Sequence, residues 1–600
     1  MADPAASHRT DRLSTAKSEI GRRSRHLDFG QAMKHAIVIL QATDIPVAAQ
    51  IVKAHADADN PCELIVFDPT LADRAMSARI GPVHYWAWHE APPYDQRCAQ
   101  AHGQARALGQ AIDQALAEPP WSELAVGSWR HLSHYYLMLA LNWYSALFEA
   151  MAPRLRTYKL LVPMCDNPQS YYFASFVPSL LLLLLAQREG WAFQSCEYGR
   201  AADDTPQVPD LRGHFTPPDR PFVLTHIPTC FYDQAYIDAA LRRSGKAVVD
   251  LRAKYWHVPL TAEATIATVA APALESSLPE AQAASLRQLA QRLVAPIDQH
   301  LTPWFRAPAF RARQVAQMVA LIHSQLLTWT LLEQHFAAAT PARLLLSDHD
   351  TDFHGPLAAY ARRHRVPLVV IPHSKVSTDL EFVASEAHVL YHPTQGDTVY
   401  DVQGRRPAQA MVDMPVHLDI NTRAPGPVKR IGLLLNGVAL NGVVMADEAV
   451  YGPGLRRIVQ WCSDRGLELQ VRSRPGQTLF STLLQPAGLS LAQLTASVQG
   501  TMADFAQRCD LCLMYDAPTT GAIELLSRGV PTLNPVSSSL TKRETACMHT
   551  ALVPRGSVDQ MLRQADLLID DPRELHDFRT QQYLAFAERY RSARCLSDYF

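Results

Sequence analysis

Short apolar runs recur along the chain, each closed by a polar turn and followed by apolar residues at helical spacing. Continuous runs alternating with a 3.6-residue period predict buried parallel strands joined by crossover helices. The first unit is a strand at 35–40, a helix over about 46–55 and a strand at 62–68. Residues 83–88 read as a further strand, 94–154 as helical, and 160–164 and 191–196 as strands. The stretch 171–186 (YYFASFVPSLLLLLLA) is the most membrane-like. It is shorter than the ~20 residues a spanning helix needs and has a helix start at Pro178-Ser179, so a buried core helix is expected.

After a Pro- and Asp-rich segment at 201–220, strands at 222–226 and 247–251 frame a helix, and helical spacing fills most of 278–339. A strand at 344–346 runs into a polar loop, a helix at 356–364 and a strand at 366–372. The composition turns loop-like over 411–427, with 421–427 a hinge candidate, and fresh strands begin at 429 and 467. The chain closes with a strand at 511–514, a helix striped by Ala522, Ile523, Leu525 and Leu526, a strand at 530–533 and a helical tail over 572–600. No fixed-period repeat is present, which argues against a solenoid.

The most informative stretch is 508–535, RCDLCLMYDAPTTGAIELLSRGVPTLNP. A loop at the carboxyl end of a parallel strand, opening onto a helix N-terminus, is where open α/β sheets hold anionic ligands. Thr519 or Thr520 caps the helix and, with backbone N–H groups, would meet a phosphate; Glu524, one turn in, would accept sugar hydroxyls. Read without a ligand, the same residues are the caps and turns of an ordinary βαβ crossover. The order hydroxyl residues, helix with an inward Glu, then Gly529-Val530-Pro531 and a strand resembles the donor-binding signature of GT-B-fold glycosyltransferases that build capsule, lipopolysaccharide or teichoic acid. The resemblance implies two Rossmann-like lobes, a nucleotide-sugar donor and a glycan or glycolipid acceptor. It also implies donor contacts at Asn436, which ends the strand opening the second lobe, and at Arg472 and Arg474. The segment 472–475 resembles the Arg/Lys-x-His-Pro loop of polysaccharide transferases with its His missing, and an arginine fork suits phosphate oxygens.

A second stretch, SDHDTDFHG at 347–355 followed by PHSK at 372–375, places two loops at the carboxyl ends of strands expected to be neighbours. Three readings compete for it. In glycosyl transfer, Asp348 or Asp350 would deprotonate an acceptor hydroxyl while His373 or Lys375 steadies the departing phosphate. As a metal site, Asp348, His349, Asp350 and His354 are suitable ligand types, although no second compact His/Asp cluster completes a set. As structure alone, Asp348 and Asp352 cap the following helix. The stretch also resembles, in part, a block of the UDP-N-acetylglucosamine 2-epimerases, with Ser374 where those have Gly.

Composition removes other classes. Lys+Arg 56 against Asp+Glu 58 leaves a net charge of -2, and no long basic run suggests nucleic-acid binding. The 10 cysteines are scattered, without the density of a disulfide scaffold, so a reducing cytoplasm is expected, with peripheral attachment to the inner face of a membrane compatible with the chain. Cys509 and Cys512, spaced as on one strand, are expected on opposite faces and in the core. Residues 1–34 show no apolar signal region and read as a flexible tail. The expected architecture is α/β. An enlarged N-terminal acceptor lobe spans 35–420, with room for an additional Rossmann-like module before 220, and a nucleotide-sugar-binding lobe spans 428–600. The expected activity is glycosyl transfer onto a surface glycan, with no cofactor beyond the donor substrate and no metal. The alternatives are a sugar-nucleotide epimerase or hydrolase, a metal-dependent hydrolase, and a scaffold without catalysis.

Overall fold

The computed structural model describes residues 33–55, 62–119, 121–165, 177–198, 218, 220–227, 234–252, 265–268, 278–337, 339–347, 354–371, 388–391, 409–411, 426–435, 437–440, 443–473, 481–516, 521–537, 552–590 and 594–600. Its frame is three parallel sheets. The first contains β1 (Lys34–Ile39), β2 (Glu63–Val66), β3 (Val83–Tyr85), β4 (Tyr158–Cys165) and β5 (Phe193–Tyr198), in the order β3-β2-β1-β4-β5. The second contains β6 (Phe222–His226), β7 (Ala247–Arg252), β8 (Thr265–Thr268), β9 (Arg343–Ser347), β10 (Leu368–Ile371), β11 (His388–Tyr391) and β12 (Gln409–Met411), in the order β12-β11-β10-β9-β6-β7-β8. The third opens with β13 (Arg430–Leu435); after a separate antiparallel hairpin of β14 (Ala439–Leu440) and β15 (Val443–Val444), the chain adds β16 (Glu468–Ser473), β17 (Leu511–Tyr515), β18 (Thr532–Val536) and β19 (Arg555–Ser557) to it. Its order is β16-β13-β17-β18-β19.

Each sheet winds outward from its first strand and then reverses. The reversal points fall between β1 and β4, β6 and β9, and β13 and β17, and crevices of open α/β sheets lie at such points. The α/β class and Rossmann-like units expected from the strand and helix periods are therefore present. The N-terminal enlargement contains a complete doubly wound sheet of its own.

Continuous apolar strands bury both faces, and the alternation along each strand sorts residues between two cores. In β1, Ala36 and Val38 join one cluster while Ile37 and Ile39 join another. The first of these clusters also takes in the helices Tyr94–Ala115, His131–Leu155 and Val177–Glu189, together with the helices that precede β9. The Leu-rich helix Val177–Glu189 is a core helix, with Leu180 and Leu182 fully buried. By length and composition Pro308–Gln334 is apolar enough to cross a membrane, a property the strand-and-helix reading passed over, yet Ile322 and Leu326 on it are fully buried in the same cluster.

One cluster joins the second and third sheets: Val223, Leu345 and Val369 from one, Leu434, Cys512 and Met514 from the other, with Phe586, Leu596 and Tyr599 from the C-terminal segment. That segment leaves the helix Pro572–Tyr590 and docks on the helix Gln234–Arg243, where the Leu596 amide donates to the Tyr236 hydroxyl at 3.2 Å. Cys509 and Cys512 are both fully buried, but they share this one cluster rather than facing opposite sides. The strand begins only at Leu511, so the two-residue alternation does not reach Cys509. The hinge candidate at 421–427 lies largely outside the described residues, which resume at 426.

Candidate functional site

At the reversal point of the third sheet, β13 and β17 end side by side, with Leu435 opposite Tyr515. The five residues of β17 are buried, and the Tyr515 hydroxyl donates to the Tyr451 carbonyl at 2.6 Å, tying the strand to the helix Glu448–Asp464. Asp516 follows with φ 59, in the left-handed region that Asp and Asn tolerate better than other non-glycine residues. Its carboxylate, in a residue only 1% exposed, accepts from the Ser537 amide and hydroxyl, each at 2.5 Å, just beyond β18. Asn534 donates to the carbonyls of Met514 and Asp516 at 2.5 and 3.2 Å. The start of the turn leaving β17 is thus fixed from the neighbouring strand.

Beyond residues 517–520, the helix Gly521–Ser527 carries half-buried Glu524 in its first turn. Gly521 permits a close approach: a Cβ there would stand 3.1 Å from Cε of Met502 and 3.4 Å from Cδ1 of Leu434. Arg472, near the end of β16, is 5% exposed, and its Nη1 donates to the carbonyls of Ser497 and Gly500, both at 2.8 Å. Burial lowers the Arg472 pKa, and the charge of Glu524 works against that drop. The structure therefore brings Arg472 and Glu524 into one electrostatic neighbourhood, with Arg472 also fastening the 497–500 segment to the sheet. Asn436, Arg474, Thr519 and Thr520 lie outside the described residues.

In the second sheet, β9 and β10 are parallel neighbours, with Ser347 opposite Ile371 at their carboxyl ends. Asp348, His349, Asp350, Asp352, His373 and Lys375 lie outside the described residues. His226 at the end of β6, Ser347 at the end of β9, and His354 at the start of the helix His354–His364 are buried at 0%, 0% and 1% exposure. Nδ1 of His226 lies 2.9 Å from the Leu251 carbonyl, which can only accept, so this nitrogen carries the proton. Burial, with the charge of His226 adding, pushes the His354 pKa down to about 3. Its ring packs 5.6 Å from that of Trp129, and a Cβ on Gly355 would stand 3.1 Å from Cβ of Trp129. His354, grouped by type with metal ligands in the sequence, is a buried neutral side chain. Among the described residues no group of three or more His, Cys, Asp or Glu is placed to hold a metal. In the sequence His226 reads only as the end of a strand, and its one signal is a polar residue closing an apolar run.

The first sheet's reversal point is occupied from within. Asp44, at the start of the helix Asp44–His55, accepts from the backbone amides of Leu40 and Gln41 at 2.9 and 3.0 Å and from the Tyr198 hydroxyl at 2.7 Å. Burial raises its pKa to about 6, and these hydrogen bonds oppose the rise. The amides that would face a bound anion at this turn already face a carboxylate. A cavity of about 220 Å³ lies elsewhere, at the amino ends of the third sheet, lined by Arg430, Asp510, Pro531, His576 and Arg579. It is on the opposite sheet edge from the crevice, and the Arg430–Asp510 ion pair at 2.8 Å belongs to its wall.

No protein-family profile matches the chain, and no curated protein matches it. Among solved structures, the chain is similar to the glycosyltransferase SnogD from Streptomyces nogalater, with a TM-score of 0.34 and 13% identity over 63% of this chain and 96% of that one. It is similar to MurG of Acinetobacter baumannii, with a TM-score of 0.32 and 11% identity over 61% and 95% of the two chains. A UDP-N-acetylglucosamine 2-epimerase matches with a TM-score of 0.30 and 15% identity over 62% and 98%. Values this low carry nothing about activity, and the α/β fold stands on the strand orders and registers of the three sheets.

Proposed function

We propose that the protein is a glycosyltransferase that moves a sugar from a nucleotide-activated donor onto a growing surface glycan or glycolipid. The observation that carries the reading is the turn after β17: Asp516 held at φ 59, then a helix whose first turn bears Glu524 beside buried Arg472. Residues held in sparsely populated backbone regions concentrate at functional sites. In this reading Thr519, Thr520 and the helix amides take the donor phosphates, Arg474 adds a fork to them, and Asn436 lines the facing loop. Glu524 accepts hydroxyls of the ribose or sugar, and Arg472 holds the frame. Asp348 or Asp350 deprotonates the acceptor hydroxyl, and His373 steadies the leaving phosphate. The reading calls on no resident metal and places the enzyme in the cytoplasm, at the inner face of the membrane where lipid-linked acceptors are met.

A ligand that binds the native state alone raises the melting temperature by mass action. A thermal-shift screen against UDP, GDP, CDP, CMP, dTDP and their sugar conjugates is expected to give a hit with one base, and Glu524→Ala is expected to abolish that shift while the unliganded melt stays in place. Silence across the panel, or an unchanged shift in the variant, would sink the donor assignment. Turnover of the nucleotide sugar without an acceptor would move the chemistry to an epimerase or hydrolase.

A further inference from the structure

We infer that the N-terminal module is a clamp on the donor site: Asp73, Tyr85 and Arg97 position the two segments that leave β13 and β16. The inference rests on the donor site proposed above. Strands β13 and β16 are neighbours whose carboxyl ends, Leu435 and Ser473, pair side by side next to the reversal point. Whatever sets the paths of the chain leaving them sets one wall of the crevice.

Described residues downstream of both strands contact the first module. After β13 the chain turns through the β14–β15 hairpin, and Val443, 2% exposed, sits in the core cluster of the first sheet and its helices. Nη2 of Arg97 donates to the Val444 carbonyl at 2.8 Å, Nε donates to the Pro92 carbonyl at 2.9 Å, and the guanidinium lies 4.4 Å from the centre of the Trp143 ring. Arg97 is 7% exposed, its guanidinium packed on an aromatic ring and directed at the hairpin. One step further along, Glu448 accepts a hydrogen bond from Tyr85 at the end of β3. Downstream of β16, the Ser481 amide donates to the Asp73 carboxylate at 2.5 Å and its hydroxyl donates to it as well.

Asp73 is 2% exposed and stands on the helix Pro69–Ala78. A carboxylate that deep is costly unless hydrogen-bonded, and Ser481, in a different module, supplies the bonds. Burial raises the Asp73 pKa and the two bonds from Ser481 pull against the rise, which agrees with a carboxylate made tolerable by the clamp. Three elements of the first module thus converge on the two segments, while the module's own crevice is filled by Asp44. Its surface chemistry is that of a grip. Asp73, Tyr85 and Arg97 are positioning residues that act on the donor through the loops.

The test uses the full chain. Asp73→Ala and Arg97→Met are compared with the wild type by hydrogen–deuterium exchange over 436–447 and 474–484 without nucleotide, and by affinity for the nucleotide found in the screen. The expected result is faster exchange confined to those two segments. Affinity should fall about tenfold, inside the ~5–150-fold range of intramolecular coupling, with donor KM rising and kcat at saturating donor changing less. Ser481→Ala, which keeps the backbone donor, is the milder variant should Asp73→Ala fail to fold, and is expected to show a smaller change in the same sense. Unchanged exchange and unchanged affinity in folded variants would overturn the clamp. A wild type that binds no nucleotide sinks the donor site instead, and the exchange measurement alone then decides the clamp: freed loops support it and protected loops refute it.

Discussion

Substitution of Asp516 separates two contributions at the start of the turn after β17. Asp516 has φ 59, and its carboxylate accepts from the Ser537 amide and hydroxyl at 2.5 Å, with Ser537 itself 8% exposed. In Asp516→Ala both Ser537 donors lose this acceptor, at ~1–3 kcal/mol for each buried donor left unmade. Alanine in the left-handed region adds roughly 1–2 kcal/mol. Partial relaxation reduces the sum, so a loss of about 4 kcal/mol is expected, a large part of the ~5–15 kcal/mol that usually holds a domain. Asp516→Asn keeps the tolerance for positive φ and one acceptor oxygen, and should cost about 1 kcal/mol. Asp516→Gly removes the steric strain but not the loss of the acceptor, and should fall between the two. Urea unfolding at neutral pH reads the series as shifts in midpoint at constant slope. The nucleotide-induced rise in melting temperature should survive in the Asn variant and shrink in the Ala variant. A Gly variant more stable than the wild type would refute the argument, because strain would then outweigh the bonds. So would an Ala variant as stable as Asn.

Two pH predictions run in opposite directions. Burial raises the Asp44 pKa to about 6 against ~3.9 unfolded, so the folded state holds the proton more tightly. Its stability contribution is full below pH ~4 and is lost as pH rises through 6, by about 3 kcal/mol, and Asp44→Asn should flatten that part of the stability profile. His354 falls to about 3 against ~6.5 unfolded, so its contribution is present above pH ~6.5 and is lost as pH falls towards 3. His354→Phe should flatten the acid limb in melts from pH 4 to 7.5, and an unchanged slope in either variant would remove the assigned cause.

The sheets were legible because their strands are continuous apolar runs and their turns carry Gly, Pro and Asp. The runs LCLMY and LLLS both lie at reversal points of their sheets, where the polar residues that follow them in the sequence point to a crevice. What the chain could not show is what depends on distant partners. Arg472 reads as a phosphate fork in isolation, but its Nη1 is committed to carbonyls of a segment about one supersecondary unit away. Cys509 reads as a strand residue until the strand is seen to start at Leu511. The grip of the first module on the third was invisible for the same reason, since Asp73 and Ser481 are 408 residues apart and neither sits in a motif. His226 and His354 carry no local pattern that distinguishes a buried histidine from a reactive one.

That distinction bears on the acid–base chemistry proposed above for the second sheet. A general acid or base needs to reach its proton and to have a pKa near the working pH. His354 meets neither condition, being 1% exposed with a pKa of about 3. His226 is fully buried, and its Nδ1 proton is held by the Leu251 carbonyl, which fixes the ring. Ser347 and His354 are both buried, and they bound the six-residue segment 348–353 at its two ends. The residues on either side of that segment are therefore anchored, and the segment itself carries Asp348, Asp350 and Asp352. The two buried histidines are structural: the His226 ring is fixed by the Leu251 carbonyl, and burial holds the His354 pKa well below the usual imidazole range. Under the glycosyltransferase reading proposed above, the base is therefore assigned to Asp348 or Asp350 and the leaving phosphate to His373, and not to the two buried histidines, His226 and His354.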